Sequence, residues 1–402
     1  MSGVPFYTLE LLKEFAKRDD GNEYVLFSNA FRKQEPLMSR FRFPEGKFSE
    51  VNLHIPNRPA NFFAEWLHFP RFAKDADLAW SPHYVVPLRT KGRMPHVVTV
   101  HDIAFERFPQ FFSAKERLWH TLPYPRRQLK RASHVIAVSE FTKRDVVEMH
   151  GVPEEKVSAI HLGIHEEYLV PGKSDFPKEV GLPSPRLGKL ELEGGRFRPG
   201  RDGASLKSGT LGQTWVEDMD YPFILSVGTL EPRKNHLGLI RGFDLIAGKP
   251  EFLDLKLVIA GNRGWLWREI EAEAERSPYR RRILFFRGLS NSDLASLARK
   301  ANVFCYPSFF EGFGFPPLEA EACGCPVVAS REGGLAEALG DSAMFVDPHS
   351  PESIADGLMR VLTDSELRAE LIKRGKKNAK RFSWKKCADE TLKVFEKVVS
   401  NK

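Results

Sequence analysis

Short apolar segments that stop at a glycine or polar turn and then run into a helical pattern recur along most of this chain. The recurrence breaks off once and restarts. Strands alternating with helices call for a parallel sheet with helices on both faces. In the first run, Thr8 to Ala16 reads as a helix, and Tyr24–Phe27, Leu78–Trp80, Val97–Val100 and His134–Val138 read as strands. A helix then starts at Ser139, whose hydroxyl suits an N-cap, with acidic Glu140 behind it. From residue 169 to 219 Pro, Gly, Lys and Arg dominate, and apolar residues lose any period. That stretch reads as a flexible linker or insertion and is expected to be disordered.

The second run is cleaner. Phe223–Val227, Leu255–Ala260, Arg282–Phe286, Val303–Tyr306, Pro326–Ala329 and Ala343–Val346 read as strands. Helices fall between them: through Leu237, Ile240, Phe243 and Ile246, from near Ser290 and Pro316, and from Ser350 through Leu362. The reading is therefore α/β, with two doubly wound domains at 1–168 and 220–382 joined by 169–219. A last helix, within 383–402, carries an apolar stripe at Trp384, Ala388, Leu392, Phe395 and Val399. Packing back on the first domain would bury it. Ligands of such sheets bind beyond the C-terminal strand ends, so a cleft between the domains is the expected site.

Length and composition agree: 402 residues exceed one typical core. No apolar run approaches the roughly 20 residues that span a bilayer, and Met1–Phe6 lacks signal-peptide character. The four cysteines are too few and irregular for a disulfide framework, and Cys323 and Cys325 read as packing residues. The expected location is cytoplasmic. A net charge of +7 suits phosphate handling or an anionic lipid surface and does not imply nucleic acid. The densest basic run, Arg126 to Arg131, lies in a helix expected near Pro125, just after apolar Leu118, Trp119 and Leu122. It reads either as a solvated face or as a peripheral contact with the inner face of the cell membrane.

Two segments carry chemistry. In Gly228–Asn235, Gly228 would let the backbone turn tightly and admit a ligand. Arg233 and Lys234 set two cations at a helix start, whose amides also favour anions. A diphosphate or a merely solvated basic turn both fit. In Phe309–Glu319, a strand end gives way to a glycine loop, and Pro316 and Pro317 open a helix. Amides at Gly314 and Phe315 would point out of that helix start. Glu311 and Glu319 would face one ligand from two places, as carboxylates that accept from hydroxyl pairs. Glu319 could instead complement the helix dipole. His101 and Asp102 end the strongest first-half strand, and His101 is either structural or reaches across the cleft.

These residues, in this order, resemble the retaining GT-B glycosyltransferases called glycosyl transferases group 1, most of all their mannosyltransferase-type members. The resemblance rests on His101-Asp102-Ile103, Val138–Lys143, Gly228–Asn235, Glu311–Glu319, Gly324–Ser330 and Glu332–Gly334. It implies two Rossmann-like domains facing a cleft and a nucleotide diphosphate sugar as donor, GDP-mannose or a UDP-sugar, with no cofactor and no metal. It implies that Arg233 and Lys234 neutralise the leaving diphosphate, that Glu311 holds the transferred sugar and Glu319 the ribose. His101 would lie near the donor hydroxymethyl group, and the amides of Gly314 and Phe315 would contact sugar and phosphate. A glycan or lipid-linked acceptor in surface polysaccharide synthesis is implied with them. The family opens with a β-strand and glycine loop ahead of the first helix, whereas this sequence starts at or inside that loop. The first domain is thus expected to lack its first strand, a central one, and a catalytically silent nucleotide-sugar-binding protein is the alternative. A nucleotide-sugar epimerase on the same plan would want further acid–base groups in the first domain.

Overall fold

The computed structural model describes residues 3–29, 36–53, 76–84, 94–121, 125–169, 216 and 219–401. In the first half, β1 (Tyr24–Asn29) pairs in parallel with β2 (Phe48–Leu53). A second parallel sheet follows chain order through β3 (Ala79–Ser81), β4 (His96–Val100), β5 (His134–Ala137) and β6 (Val157–Ala159). The helix Gly3–Ala16 serves both sheets: Phe15 stacks on Tyr24 of β1 and meets Trp80 of β3 edge-on. β4 and β5 are buried along their whole length, as expected of parallel strands covered on both faces.

The second half holds β7 (Phe223–Val227), β8 (Lys256–Ala260), β9 (Ile283–Phe286), β10 (Val303–Tyr306), β11 (Val327–Ala329) and β12 (Ala343–Phe345). They form one parallel sheet in the order β12-β11-β10-β7-β8-β9. Read from β9, this is the doubly wound order in which the chain reverses direction between β7 and β10. A crevice opens at that reversal, beyond the C-terminal ends of those two strands. The loop after β7 begins at Gly228 and the loop after β10 runs into Glu311, so topology alone brings the two candidate segments together.

The last helix, Trp384–Ser400, lies against the helix Gly3–Ala16: Trp384 meets Phe6 and Tyr7, and Phe395 meets Phe15. Most of the expected flexible stretch, 169–219, lies outside the described residues. Its end is not loose, however: Val216 and Met219 are buried, and Lys300 donates to the Val216 carbonyl at 3.0 Å. Leu122 and the side chain of Trp119 also lie outside the description. All four cysteines are buried and unbridged, and burial pushes their thiols up. Among the described residues no helix is long and apolar enough to cross a membrane.

Candidate functional site

After β7 the chain turns through Gly228 into a short helical turn, Pro232–Lys234, and then into the helix His236–Ala247. Asn235 fixes this turn. It takes the left-handed conformation at φ 55°, accepts from the Gly238 amide at 3.1 Å as N-cap, and donates to the Pro307 and Pro348 carbonyls at 3.0 and 2.7 Å. The loop after β7 is thereby tied to the loop after β10, and Arg233 and Lys234 project between them.

Both cations converge on Glu311. Arg233 Nη1 donates to Glu311 Oε2 and to the Phe310 carbonyl, each at 2.8 Å, and Nη2 donates to Glu231 Oε1 at 2.8 Å. Lys234 Nζ donates to Glu311 Oε1 at 2.7 Å and to the Tyr306 hydroxyl at 2.6 Å. Ser308 Oγ lies 2.7 Å from Glu311 Oε1. Burial alone would push the Glu311 carboxyl up, but Arg233 and Lys234 outweigh it and hold the group down at about 2. Burial and the neighbouring Arg233 draw Lys234 below its ordinary value, and burial pushes Glu231 up. The cluster is a buried set of two cations and two acids, and an incoming anion would find the cations already aligned.

The first domain closes over this cluster. Ser139 Oγ donates to the Gly312 carbonyl at 2.6 Å, with Thr142 Oγ1 3.2 Å from the same oxygen. A Cβ on Gly312 would overlap the His101 carbonyl oxygen, so the backbones of the two domains touch there. His101 is thus one residue's reach from Glu311. Its Nε2 donates to the Pro82 carbonyl at 3.0 Å, its ring meets Tyr7 edge-on, and burial holds it down at about 4, neutral at physiological pH. Glu337 of the second domain caps the helix Glu140–His150, accepting from the Glu140 and Phe141 amides at 3.0 and 3.3 Å and from His161.

Gly228 does not take a left-handed conformation, and the nearest atoms to a Cβ there would be the Lys234 methylenes, at 3.7 Å. The tight approach belongs to Gly261, where a Cβ would overlap the Gly228 carbonyl. Glu319 sits as expected in the helix Phe315–Ala322, which starts after Gly314 at φ 111°, but it does not join the Arg233–Lys234–Glu311 cluster. Its Oε1 accepts from His165 Nδ1 at 2.6 Å. Gly314 and Phe315 stand at the start of that helix, where amides lack intrahelical acceptors. Glu231, Tyr306, Ser308, His165 and Glu337 were not singled out from the sequence, and Ser139 was read only as an N-cap within the Val138–Lys143 run. Glu231 did have a local signal, lying within the Gly228–Asn235 run beside the cations.

Two Asp-x-Asp sequences occur, Asp75–Asp77 and Asp218–Asp220. Asp77 precedes β3 and Asp220 precedes β7, at strand ends opposite the cleft. Among the described residues no group of three or more His, Cys, Asp or Glu is placed to hold a metal ion.

This fold and cleft define a GT-B glycosyltransferase. Residues 210–378 match the family described as Glycosyl transferases group 1, and residues 1–168 match Glycosyltransferase Family 4. The chain belongs to these glycosyltransferases. It is similar to the O-antigen chain mannosyltransferase B of Escherichia coli, at 26% identity over 98% of this chain and 96% of that one. Among solved structures, sucrose-phosphate synthase from Thermosynechococcus elongatus superposes with a TM-score of 0.74 at 18% identity, covering 100% and 94% of the two chains. Anabaena HepE in complex with UDP-glucose gives 0.69 at 17% identity, covering 98% and 96%.

Proposed function

We propose that the enzyme moves a hexose, with mannose the leading candidate, from a nucleotide diphosphate sugar to a glycan or lipid-linked acceptor in surface polysaccharide synthesis. The observation that carries this reading is the convergence of Arg233 and Lys234 at the switch point of the second sheet, under the first domain. The mannose assignment is favoured by the likeness to the O-antigen mannosyltransferase; GDP-mannose or a UDP-sugar is the donor.

In this reading the diphosphate takes up Arg233 and Lys234, and Glu311 then accepts from sugar hydroxyls. Glu319 receives the ribose hydroxyls, the Gly314 and Phe315 amides meet sugar and phosphate, and neutral His101 faces the hydroxymethyl group. Transfer retains configuration by front-face attack. The anomeric carbon–oxygen bond to the diphosphate breaks, the acceptor oxygen bonds to the same face, and its proton passes to the departing phosphate oxygen. The two cations stabilise the charge that develops on the leaving group, the task a metal ion performs elsewhere. The division at 1–168, 169–219, 220–382 and 383–402 belongs to this proposal.

A peripheral contact with the inner face of the membrane belongs to it too. The helix Pro125–Arg131 buries Pro125, Gln128 and Leu129 and turns Arg126, Arg127, Lys130 and Arg131 outward, near Leu118, which is 60% exposed. A basic face with an apolar neighbour suits anionic headgroups.

The test is a panel of GDP- and UDP-sugars, read by thermal protection and by donor hydrolysis. Protection with turnover by one of them supports transfer. Protection without turnover on any acceptor would favour the silent binding protein, and no protection by any nucleotide sugar sinks the proposal.

A further inference from the structure

Glu319 is not held by its own domain. The hydrogen bond to its Oε1 comes from His165, 154 residues earlier, at the end of the first domain's described chain. Both residues are buried, at 7% and 8% exposure. Tyr168, three residues on, is buried beside the same carboxylate. The His165 ring is itself fixed, because Phe6 stacks on it at 3.4 Å between centroids, with planes 29° apart. Trp384 in turn meets Phe6 edge-on and stacks over Phe315, at the start of the helix that carries Glu319.

A glutamate side chain on a helix has three rotatable bonds and is costly to hold still for a ligand. An ionised carboxylate offers about four lone-pair directions. His165 occupies one of them and fixes the side chain's rotamer, which leaves others for an arriving pair of vicinal hydroxyls. Preorganising an acceptor in this way raises affinity for the ligand that uses it.

We propose that His165 is a positioning residue that aims Glu319 at the hydroxyl pair of the donor's ribose. This rests on the reading of Glu319 as the ribose contact. His165 itself touches no reacting atom; its part is to make the hydroxyls count in binding.

The experiment measures binding of GDP and UDP, each against its 2′-deoxy counterpart, by calorimetry on the full chain. A hydroxyl bonded to a charged group should favour the ribonucleotide by ~10-fold or more. His165→Phe keeps a ring for Phe6 to stack on but has no N–H to give. It should reduce that ratio to below ~3 while leaving affinity for the deoxy nucleotide within ~3-fold, which loss of a single charged hydrogen bond would do. His165→Asn keeps a donor and should restore most of the ratio, an outcome that a purely structural role would not give. Wild-type discrimination in a folded His165→Phe protein overturns the proposal. Glu319→Ala separates the two levels: if it leaves the ratio unchanged, the ribose reading falls and the positioning role falls with it. If Glu319→Ala erases the ratio and His165→Phe does not, only the role of His165 is refuted.

Discussion

Lys234 and Glu311 meet at 2.7 Å across the loops that follow β7 and β10, with side chains only 11% and 8% exposed. The pair is sealed, yet each partner has a second anchor: Lys234 has the Tyr306 hydroxyl, and Glu311 has Arg233. Removing Lys234 therefore leaves Glu311 charge-paired, and the fold should survive the change.

Catalysis should not. Lys234→Ala takes away one of the two cations proposed to meet the leaving diphosphate. Loss of one such group costs ~10²–10³-fold in kcat. Steady-state kinetics on the identified donor, with the melting temperature as a control for folding, would decide it. A Lys234→Ala enzyme that keeps more than half its turnover would remove the cation pair from the mechanism.

Glu321 gives a pH dependence of opposite sign to an ordinary ion pair. It is 1% exposed, and burial raises its carboxyl from 4.5 to about 8, despite bonds to Ser342 and Asn378. The local geometry agrees: the Ser342 hydroxyl lies against both the Leu339 carbonyl and Glu321 Oε1, and its single proton can serve only one of them. A proton on Glu321 supplies the other bond. For an acid whose folded value is the higher, the unfolded chain releases its proton first. Stability is therefore full below about 4.5 and is lost as pH rises from there to about 8. Glu321→Gln keeps the shape and the donor without the ionisation. It should raise the melting temperature at pH 8 to 9, and the gain should shrink towards pH 5. A substitution that destabilises equally at both ends of that range would show Glu321 to be charged in the fold.

The sequence made the second domain legible because its strands are buried, continuous and apolar, as β7, β8 and β10 are. It hid β6, whose three residues include a single large apolar side chain, and β2, where Phe48, Val51 and Leu53 are interrupted by Ser49, Glu50 and Asn52. The helix Ser365–Ala379 was also missed, since it is mostly polar and buries only Leu371, Gly375, Asn378 and Ala379. In the site, Arg233, Lys234 and Glu311 could be read because each stands in one contiguous run at a strand end. The partners that set their geometry lie far away in the chain. His165 to Glu319 spans 154 residues and His161 to Glu337 spans 176, and no local pattern marks such contacts.

The basic helix face makes a salt-dependent prediction. Arg126 and Lys130 stand one turn apart on the exposed side of the helix Pro125–Arg131. Each basic residue near an anionic bilayer is worth ~1 kcal/mol, so removing both should weaken binding to phosphatidylglycerol vesicles by ~30-fold at moderate salt. Co-sedimentation of Arg126→Ala/Lys130→Ala against the parent would show it. Activity on a soluble acceptor should be unchanged, since neither residue belongs to the proposed donor site. Equal sedimentation of both proteins would return the face to ordinary solvent.

Gly312 tests whether the closed arrangement of the two domains is the working one. Its carbonyl is bound by Ser139, and a methyl group on its Cα would overlap the His101 carbonyl oxygen across the interface. Backbone cannot rotate out of the way as a flexible side chain can, so Gly312→Ala should hold the domains apart at this point. One buried cluster lies wholly within the second domain, so that domain should stay folded in the variant. The groups proposed to bind the donor, Arg233, Lys234, Glu311 and Glu319, all lie in the second domain, and donor binding should persist. His101 would be displaced from the place proposed for it at the donor sugar, and a misplacement of about 1 Å can cost ~10²-fold in rate. The expected signature is a fall in kcat with donor affinity nearly intact, together with a larger radius of gyration in solution scattering. If Gly312→Ala turns over at the parent rate, closure through this contact is not needed for the reaction.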